Sequence, residues 1–177
     1  MKKQFLTFLL LTNVLFAASQ TQWKVGTSSV TFKINNAGIP VNGSFGGLIA
    51  DIKFDADNLA KSSMEASIDV NTINTGINLR DNHLKKEEYF NVTVYPKISI
   101  VSTSFSKDNE QLFKGFFKLT IKGTTKDIVI PFSYSESGNS VIFQATFSLD
   151  RRDYNVGKNS LIMADEVTVH IVISATK

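Results

Sequence analysis

The sequence predicts an all-β fold of about eight antiparallel strands, with one short helix inserted between two of them. Apolar and polar residues alternate with a period of two along most of the chain, loops containing Gly, Asn and Asp separate the runs, and one segment has helical composition. One apolar and one polar face per strand is typical of antiparallel sheets with one wet side. Because a flat sheet of this size exposes its edges, we expect closure into a barrel, with a two-sheet sandwich as the alternative.

The composition fits one domain and excludes several kinds of site. A chain of 177 residues matches a single domain, and its net charge of +3 is too small to indicate a nucleic-acid-binding protein. The absence of cysteine excludes disulfides, thiol nucleophiles and cysteine-ligated metals, and two histidines cannot form a three-histidine metal site. The motifs of serine hydrolases, phosphate-binding loops and zinc proteases are also absent from the sequence. We therefore expect neither a cofactor nor a metal.

The first residues have the three parts of a secretory signal peptide. A basic start with Lys2 and Lys3 precedes an apolar run over 5–16, and small residues follow at 17–19. An uncleaved anchor or a buried helix is the alternative, but the run is shorter than the roughly 20 residues that span a bilayer. We predict cleavage of residues 1–19, a barrel domain over 20–177, and a periplasmic or secreted protein.

Each alternating run predicts one strand with its apolar face inward. In chain order, the runs cover 30–34, 48–54, 64–70, 98–105, 115–121, 128–134, 141–149 and 167–173. Gly43, Gly46 and Gly47 precede the second run, where glycines usually indicate bulges or bends.

The interior of this barrel is rich in phenylalanine, of which the chain has 14. The candidate lining residues are Phe32, Ile34, Phe45, Phe54, Ile68, Phe90, Ile100, Phe117, Leu119, Phe132, Phe143 and Phe147. An eight-stranded barrel is either just filled by side chains or holds one small ligand. Composition does not separate these two cases, because both place the same residues on the same face.

The helical segment covers 78–87. Asn78 is the expected N-cap with Asp81 in the capping-box position, and we expect Leu84 to lock the helix onto the barrel. His83 invites a catalytic interpretation as a base beside carboxylates. We instead expect Arg80 and His83 to donate hydrogen bonds to loop carbonyls, since neighbours on one short helix usually form caps and surface pairs.

Two further basic features lie late in the chain. His170 falls on the polar face of the last strand, where we expect it to be solvated. Arg151 and Arg152 form a basic turn, which we interpret as solvated and closing onto Asp150 or Asp153, with an anion site as the alternative.

A series of blocks along the chain resembles, in the same order, the motifs of the YceI-like family. The blocks are Trp23, Gly43-Ser44-Phe45, the run 68–76 ending in Asn74-Thr75-Gly76, Arg80-Asp81 with His83-Leu84, Tyr95-Pro96, the run 115–126 containing Leu119-Thr120-Ile121, and Arg152-Asp153-Tyr154. The resemblance extends over nearly the whole chain after residue 19. At two places where many members carry histidine, this sequence has Ser28 and Asn36, which affects the expected preference for a ligand head group.

This resemblance implies an extended eight-stranded, lipocalin-like antiparallel barrel that holds a polyisoprenoid chain, often with a quinone-like or phenolic head, in the periplasm. It implies structural roles for Arg80, Asp81, His83 and Leu84, and no established catalytic residues. We therefore predict a lipid carrier that is not an enzyme, with transient membrane contact and a monomeric or homodimeric state. The alternatives are an enzyme acting on a prenylated substrate through His83 and Arg80, or a ligand-free stress-response barrel.

Overall fold

The computed structural model describes residues 21–177, so the predicted signal peptide lies outside the described residues. The strands are β1 (Gln22–Asn36), β2 (Ile39–Phe45), β3 (Ile49–Lys53), β4 (Ser63–Asp69), β5 (Lys97–Lys107), β6 (Leu112–Ile121), β7 (Thr124–Ser137), β8 (Ser140–Asp150) and β9 (Met163–Thr176). One α-helix, α1 (Asn78–Leu84), lies between β4 and β5. Among these described residues, no helix is long and apolar enough to cross a bilayer.

All the strands belong to one antiparallel sheet that closes into a barrel, which confirms the predicted barrel and excludes the sandwich. Closure comes from β1, which pairs with β9 along one edge. Its other edge pairs with β3 near Trp23 and with β2 from Val30 onward. Because β2 and β3 share this edge and are separated only at Gly46–Leu48, they occupy one position in the wall. The barrel thus has eight positions, as expected, although the chain forms nine strands.

Two bulges change which residues face the interior. The register of β1 against β9 shifts between Val25 and Thr27, so the inward face passes from Trp23 and Val25 to Val30 and the even-numbered residues after it. In β5 the register shifts between Ser102 and Ser104. A single extra residue reverses the alternation of a strand. Elsewhere the predicted faces are confirmed, as in β6, where Phe117 is buried and Lys118 exposed.

One end of the barrel is filled by an aromatic core centred on Phe54, which has no exposed surface. Its ring centroid lies 5.1–5.7 Å from those of Phe105, Phe113, Phe132, Tyr134 and Phe143. Most of these pairs meet edge to face, the arrangement that aromatic quadrupoles favour. The buried Trp23 indole donates a hydrogen bond of 2.9 Å to the Phe54 carbonyl, which ties β1 to this core.

The packing becomes looser toward the other end, where α1 lies. Along the inward face of β8, Val141 and Phe143 are buried, whereas Ala145, Phe147 and Leu149 are only half-buried. β9 runs antiparallel to β8, so its buried residue, Ala175, lies near the end of the strand and residues of intermediate burial precede it. Inward residues retain accessible surface because nothing fills the space in front of them. The barrel is thus solid at the Phe54 end and hollow beyond it, with a second buried cluster of Leu119, Ile121, Tyr154 and Val156 in the wall beside Tyr89 and Phe90.

This division predicts unequal effects of the same truncation at the two ends. We expect Phe54→Ala to lower the free energy of unfolding by about 3–5 kcal/mol, since it opens a cavity among packed rings. Phe147→Ala removes a ring that faces empty space, and we expect a loss of only about 1 kcal/mol. Urea unfolding of the purified protein measures both losses. Equal losses would contradict the division into a packed end and a hollow end.

Candidate functional site

The hollow part of the barrel is a cavity of about 300 Å³. Its walls are aliphatic and aromatic, contributed by strands on all sides and by the segment after α1. The predicted residues that line it are Phe32, Ile34, Phe45, Ile68, Phe90, Ile100, Phe117, Leu119, Phe132, Phe143 and Phe147. Apolar cavities of this volume are typical of small-molecule sites. The structure therefore favours a hollow barrel over a filled one.

Phe54 is the predicted lining residue that the structure places elsewhere. It belongs to the packed end and does not line the cavity. Its inward orientation was predicted correctly, but the position of a residue along the barrel axis determines whether it meets neighbours or empty space. We therefore assign Phe54 a role in stability instead of ligand contact.

Two glycines give the cavity rings their positions. A side chain at Gly43 would lie 2.3 Å from Cζ of Phe32 on the neighbouring strand, and one at Gly115 would lie 2.2 Å from Cε2 of Phe117. Each ring thus occupies the space that a side chain at the glycine would need. A larger residue at either glycine would push the ring into the cavity and reduce the space for a ligand.

At the α1 end, a polar network joins the helix to the segment before it. Asp81 is 7% exposed and accepts hydrogen bonds from the Thr75 backbone N–H at 2.9 Å and the Thr75 hydroxyl at 2.5 Å. Arg80 donates from Nε to the Thr75 hydroxyl and from Nη2 to the Thr75 carbonyl, each at 2.7 Å. Arg80 thus binds a loop carbonyl, as expected.

The helix differs from its prediction at both ends. It stops at Leu84, and turns replace the expected helix to residue 87. Ile77 is the N-cap, with no side-chain bond, so the expected capping by Asn78 is wrong. Asp81 reaches back past the cap to Thr75 instead, because that N–H and hydroxyl offer it two donors at once. Leu84 lines the cavity together with Arg80.

His83 lies outside the cavity lining. Its side chain is half-exposed, its ring lies 5.0 Å from that of Tyr89, and its Nδ1 is 3.9 Å from the Glu88 carboxylate. The expected hydrogen bond to a loop carbonyl is replaced by these surface contacts. On the outer face of the barrel, His170 is half-buried, with its Nδ1 2.8 Å from the Thr146 hydroxyl.

The prediction that Arg151 is solvated is wrong. Arg151 is 3% exposed, lines the cavity, and donates to the carbonyls of Ala164 and Val156 at 3.0 and 2.8 Å and to the Asp165 carboxylate at 2.7 Å. Arg152 is the exposed member of the pair. The sequence does contain a signal for this difference, because residue 151 continues the series of odd-numbered, inward-facing positions of β8. Its carboxylate partner is Asp165 and not Asp150 or Asp153.

The other polar residues of the lining include a tyrosine and an asparagine. Tyr154 is buried in the lining, and its burial, reinforced by the nearby Asp153 charge, raises its pKa, so the phenol stays neutral. Asn36, one of the two residues that replace histidine, lines the cavity, whereas Ser28 is exposed and does not. Across residues 21–177, no cluster of histidine and carboxylate side chains could hold a metal ion.

The network around Thr75 predicts a stability effect at Asp81. We expect Asp81→Ala to lower the free energy of unfolding by about 1–3 kcal/mol, since it leaves partly buried donors without an acceptor. Asp127→Ala is the control, because it removes an exposed carboxylate whose pair with Lys118 contributes at most about 1 kcal/mol. Chemical denaturation measures both losses. Equal small losses would show that the network does not hold the segment.

Comparison with known proteins finds both related sequences and solved structures of the same fold. It is 26% identical to the protein YceI of Salmonella arizonae, with 100% of this chain and 99% of that protein covered. The crystal structure of Burkholderia cenocepacia BcnA superimposes with a TM-score of 0.81 at 26% identity, covering 84% of this chain and 96% of BcnA. A polyisoprenoid-binding domain of Saccharophagus degradans has the same fold, with a TM-score of 0.70 at 15% identity over 88% of this chain and 97% of that domain.

The family model of the YceI-like domain matches residues 23–175, from the Trp23 that anchors the packed end to the Ala175 that is buried against it. This match covers almost the whole described barrel, including the cavity and α1. The chain therefore belongs to the YceI-like domain family.

Proposed function

We propose that this protein is an exported carrier or storage protein that holds a polyisoprenoid, such as an isoprenoid quinone or a prenyl lipid, inside its barrel. The observation that carries the proposal is the unfilled apolar cavity beside a separately packed core. A barrel that only needed stability would fill its interior with side chains. The apolar lining suits a long hydrocarbon chain.

The physical properties of the ligand agree with this lining. Each methylene group removed from water contributes about 0.8 kcal/mol, so a prenyl chain needs an apolar container along its whole length. The Saccharophagus degradans barrel with the same fold is described as polyisoprenoid binding, which supports the same ligand class here. Residues 1–19 support export to the periplasm or beyond through their basic, apolar and small-residue parts.

The position of His83 favours binding over catalysis. A catalytic histidine must reach the substrate, but His83 is half-exposed and does not contribute to the cavity lining. Arg80 lines the cavity, and its contacts to Thr75 are those of a residue that orders the segment. The cavity likewise argues against a ligand-free barrel.

Solvent extraction of the purified protein followed by mass spectrometry tests the proposal. We expect a co-purifying prenyl lipid, or uptake of added geranylgeraniol after delipidation, because the cavity shields the chain from water. Protein that is repeatedly free of apolar molecules and that fails to take up geranylgeraniol would refute the proposal.

A matched pair of variants tests whether the lipid is bound inside the barrel. Ala66 lines the cavity, so Ala66→Phe fills part of it and should reduce uptake several-fold. Val129 is 50% exposed on the outer face, so Val129→Phe adds the same ring outside and should leave uptake unchanged. Equal uptake by both variants would place the lipid outside the barrel.

Exposed aliphatic side chains beside the cavity suit a transient contact with a membrane. Ile39, Leu161 and Ile162 are 67%, 103% and 62% exposed. Ala37 N–H donates to the Ile162 carbonyl, which brings the β1–β2 turn against the segment before β9. Asn36 and Met163, which pair across these strands, both line the cavity, so the aliphatic patch borders it.

Replacing this patch tests the membrane contact. We expect Leu161→Ser with Ile162→Ser to slow transfer of a bound prenyl lipid to phospholipid vesicles several-fold, because less apolar surface enters the bilayer. Ile142→Ser, which changes a 47% exposed residue on the outer face of β8, is the control. Transfer at the wild-type rate in the double variant would refute a role for the patch.

A further inference from the structure

The cavity ends on a floor of three side chains that belong both to the packed core and to the cavity lining. These are Ile52, Phe132 and Phe143, which are 3%, 7% and 6% exposed. Phe54 and Phe113, which lie in the core beneath this floor, do not reach the cavity. A hydrocarbon chain that enters the barrel therefore stops at the floor.

The two rings of the floor are held in place by the core. The Phe132 ring centroid lies 5.5 Å from that of Phe54 and 5.7 Å from that of Phe113. The Phe143 centroid lies 5.7 Å from that of Phe54 and 6.5 Å from that of Trp23. Displacing a ring from such packing opens a void or forces strained rotamers. The floor therefore resists a chain that is too long for the space above it.

The surroundings of the floor cannot hold a polar head group. The partly buried side chains that adjoin the floor and line the cavity are the apolar Ala50, Met64, Ala145 and Ile173. Arg151, by contrast, follows the end of β8 that lies away from Phe143. A hydroxyl group beside the floor would find no side-chain partner, and an unpaired buried polar group is costly. The polar end of a prenyl lipid is therefore favoured at the α1 end, with the hydrocarbon end toward the floor.

We propose that Ile52, Phe132 and Phe143 set the length of the prenyl chain that the barrel accepts. This assignment rests on the proposed lipid-binding function and specifies which members of that ligand class fit. A chain shorter than the space above the floor leaves apolar wall without contacts, whereas a longer chain leaves isoprene units outside the barrel in water. A phenyl ring and an isoprene unit are similar in size, so adding or removing one ring at the floor should change the accepted length by one unit.

Competition among prenols of increasing length tests the assignment. Delipidated protein is offered phosphatidylcholine vesicles that contain equimolar prenols of two to six isoprene units, and native mass spectrometry identifies those that bind. We expect the wild-type protein to discriminate at least about tenfold against prenols beyond one limiting length, because each unit outside the barrel exposes apolar carbons to water. Ala145→Phe should shorten this limit by one unit, since Ala145 pairs with Phe132 across β7 and β8 and a ring there covers the floor.

Removing a ring should have the opposite effect. We expect Phe143→Ala to lengthen the limit by one unit. Phe147→Ala is the matched control, since it removes the same ring from the same inward face of β8, at a residue that lines the cavity and is not part of the packed core. It should leave the limit unchanged. If Phe143→Ala does not fold, Ala145→Phe decides the test, because that variant removes no contact from the core.

The outcomes separate this assignment from the function on which it rests. Equal uptake of all prenols by the wild-type protein would overturn the chain-length assignment and leave the carrier function standing. An unchanged limit in Ala145→Phe would also overturn it, as would equal shifts in Phe147→Ala and Phe143→Ala, which would assign the selection to total volume. Failure of the wild-type protein to bind any prenol would instead count against the proposed function itself.

Discussion

The pairing of β1 with β9 is the constraint on which the rest of the barrel depends. β1 is 15 residues long, and it closes the sheet on one edge while carrying β2 and β3 on the other. The bulge near Gly26 lets one strand serve both ends of the barrel, with Trp23 facing the packed core and Phe32 facing the cavity. Without that extra residue, one of these two aromatic side chains would point into solvent.

The alternation of apolar residues was sufficient to predict the sheet and most of its faces, because side-chain direction in a strand repeats every two residues. It did not predict the two bulges, which depend on how neighbouring strands align. Nor did it predict the end of α1 at Leu84, where the Leu84 carbonyl accepts from the Phe90 N–H of the following turns instead of from the next turn of helix. The extra strand has a local origin in Gly46 and Gly47, which interrupt one position of the wall.

The sequence was sufficient to predict which residues point toward the candidate site, but not how far the cavity extends along the barrel axis. Phe54 and Phe147 have the same residue type and the same orientation, and only their heights in the barrel separate a core residue from a cavity residue. Arg151 was misinterpreted for a related reason, since its partner Asp165 is brought close by the fold. The sequence shows that a side chain points inward, whereas the shape of the space in front of it is set by all the other strands.

The separation of a packed end from a hollow end also matters for divergence among related barrels. Substitutions in the half-buried wall around Phe147 alter the shape of the cavity, whereas Phe54, Phe113 and Tyr134 belong to the packed core and not to the cavity lining. Mutation at one end can therefore reshape the cavity while the packed core at the other end stays unchanged. Proteins built this way can have little sequence in common and bind different ligands, and still keep one architecture.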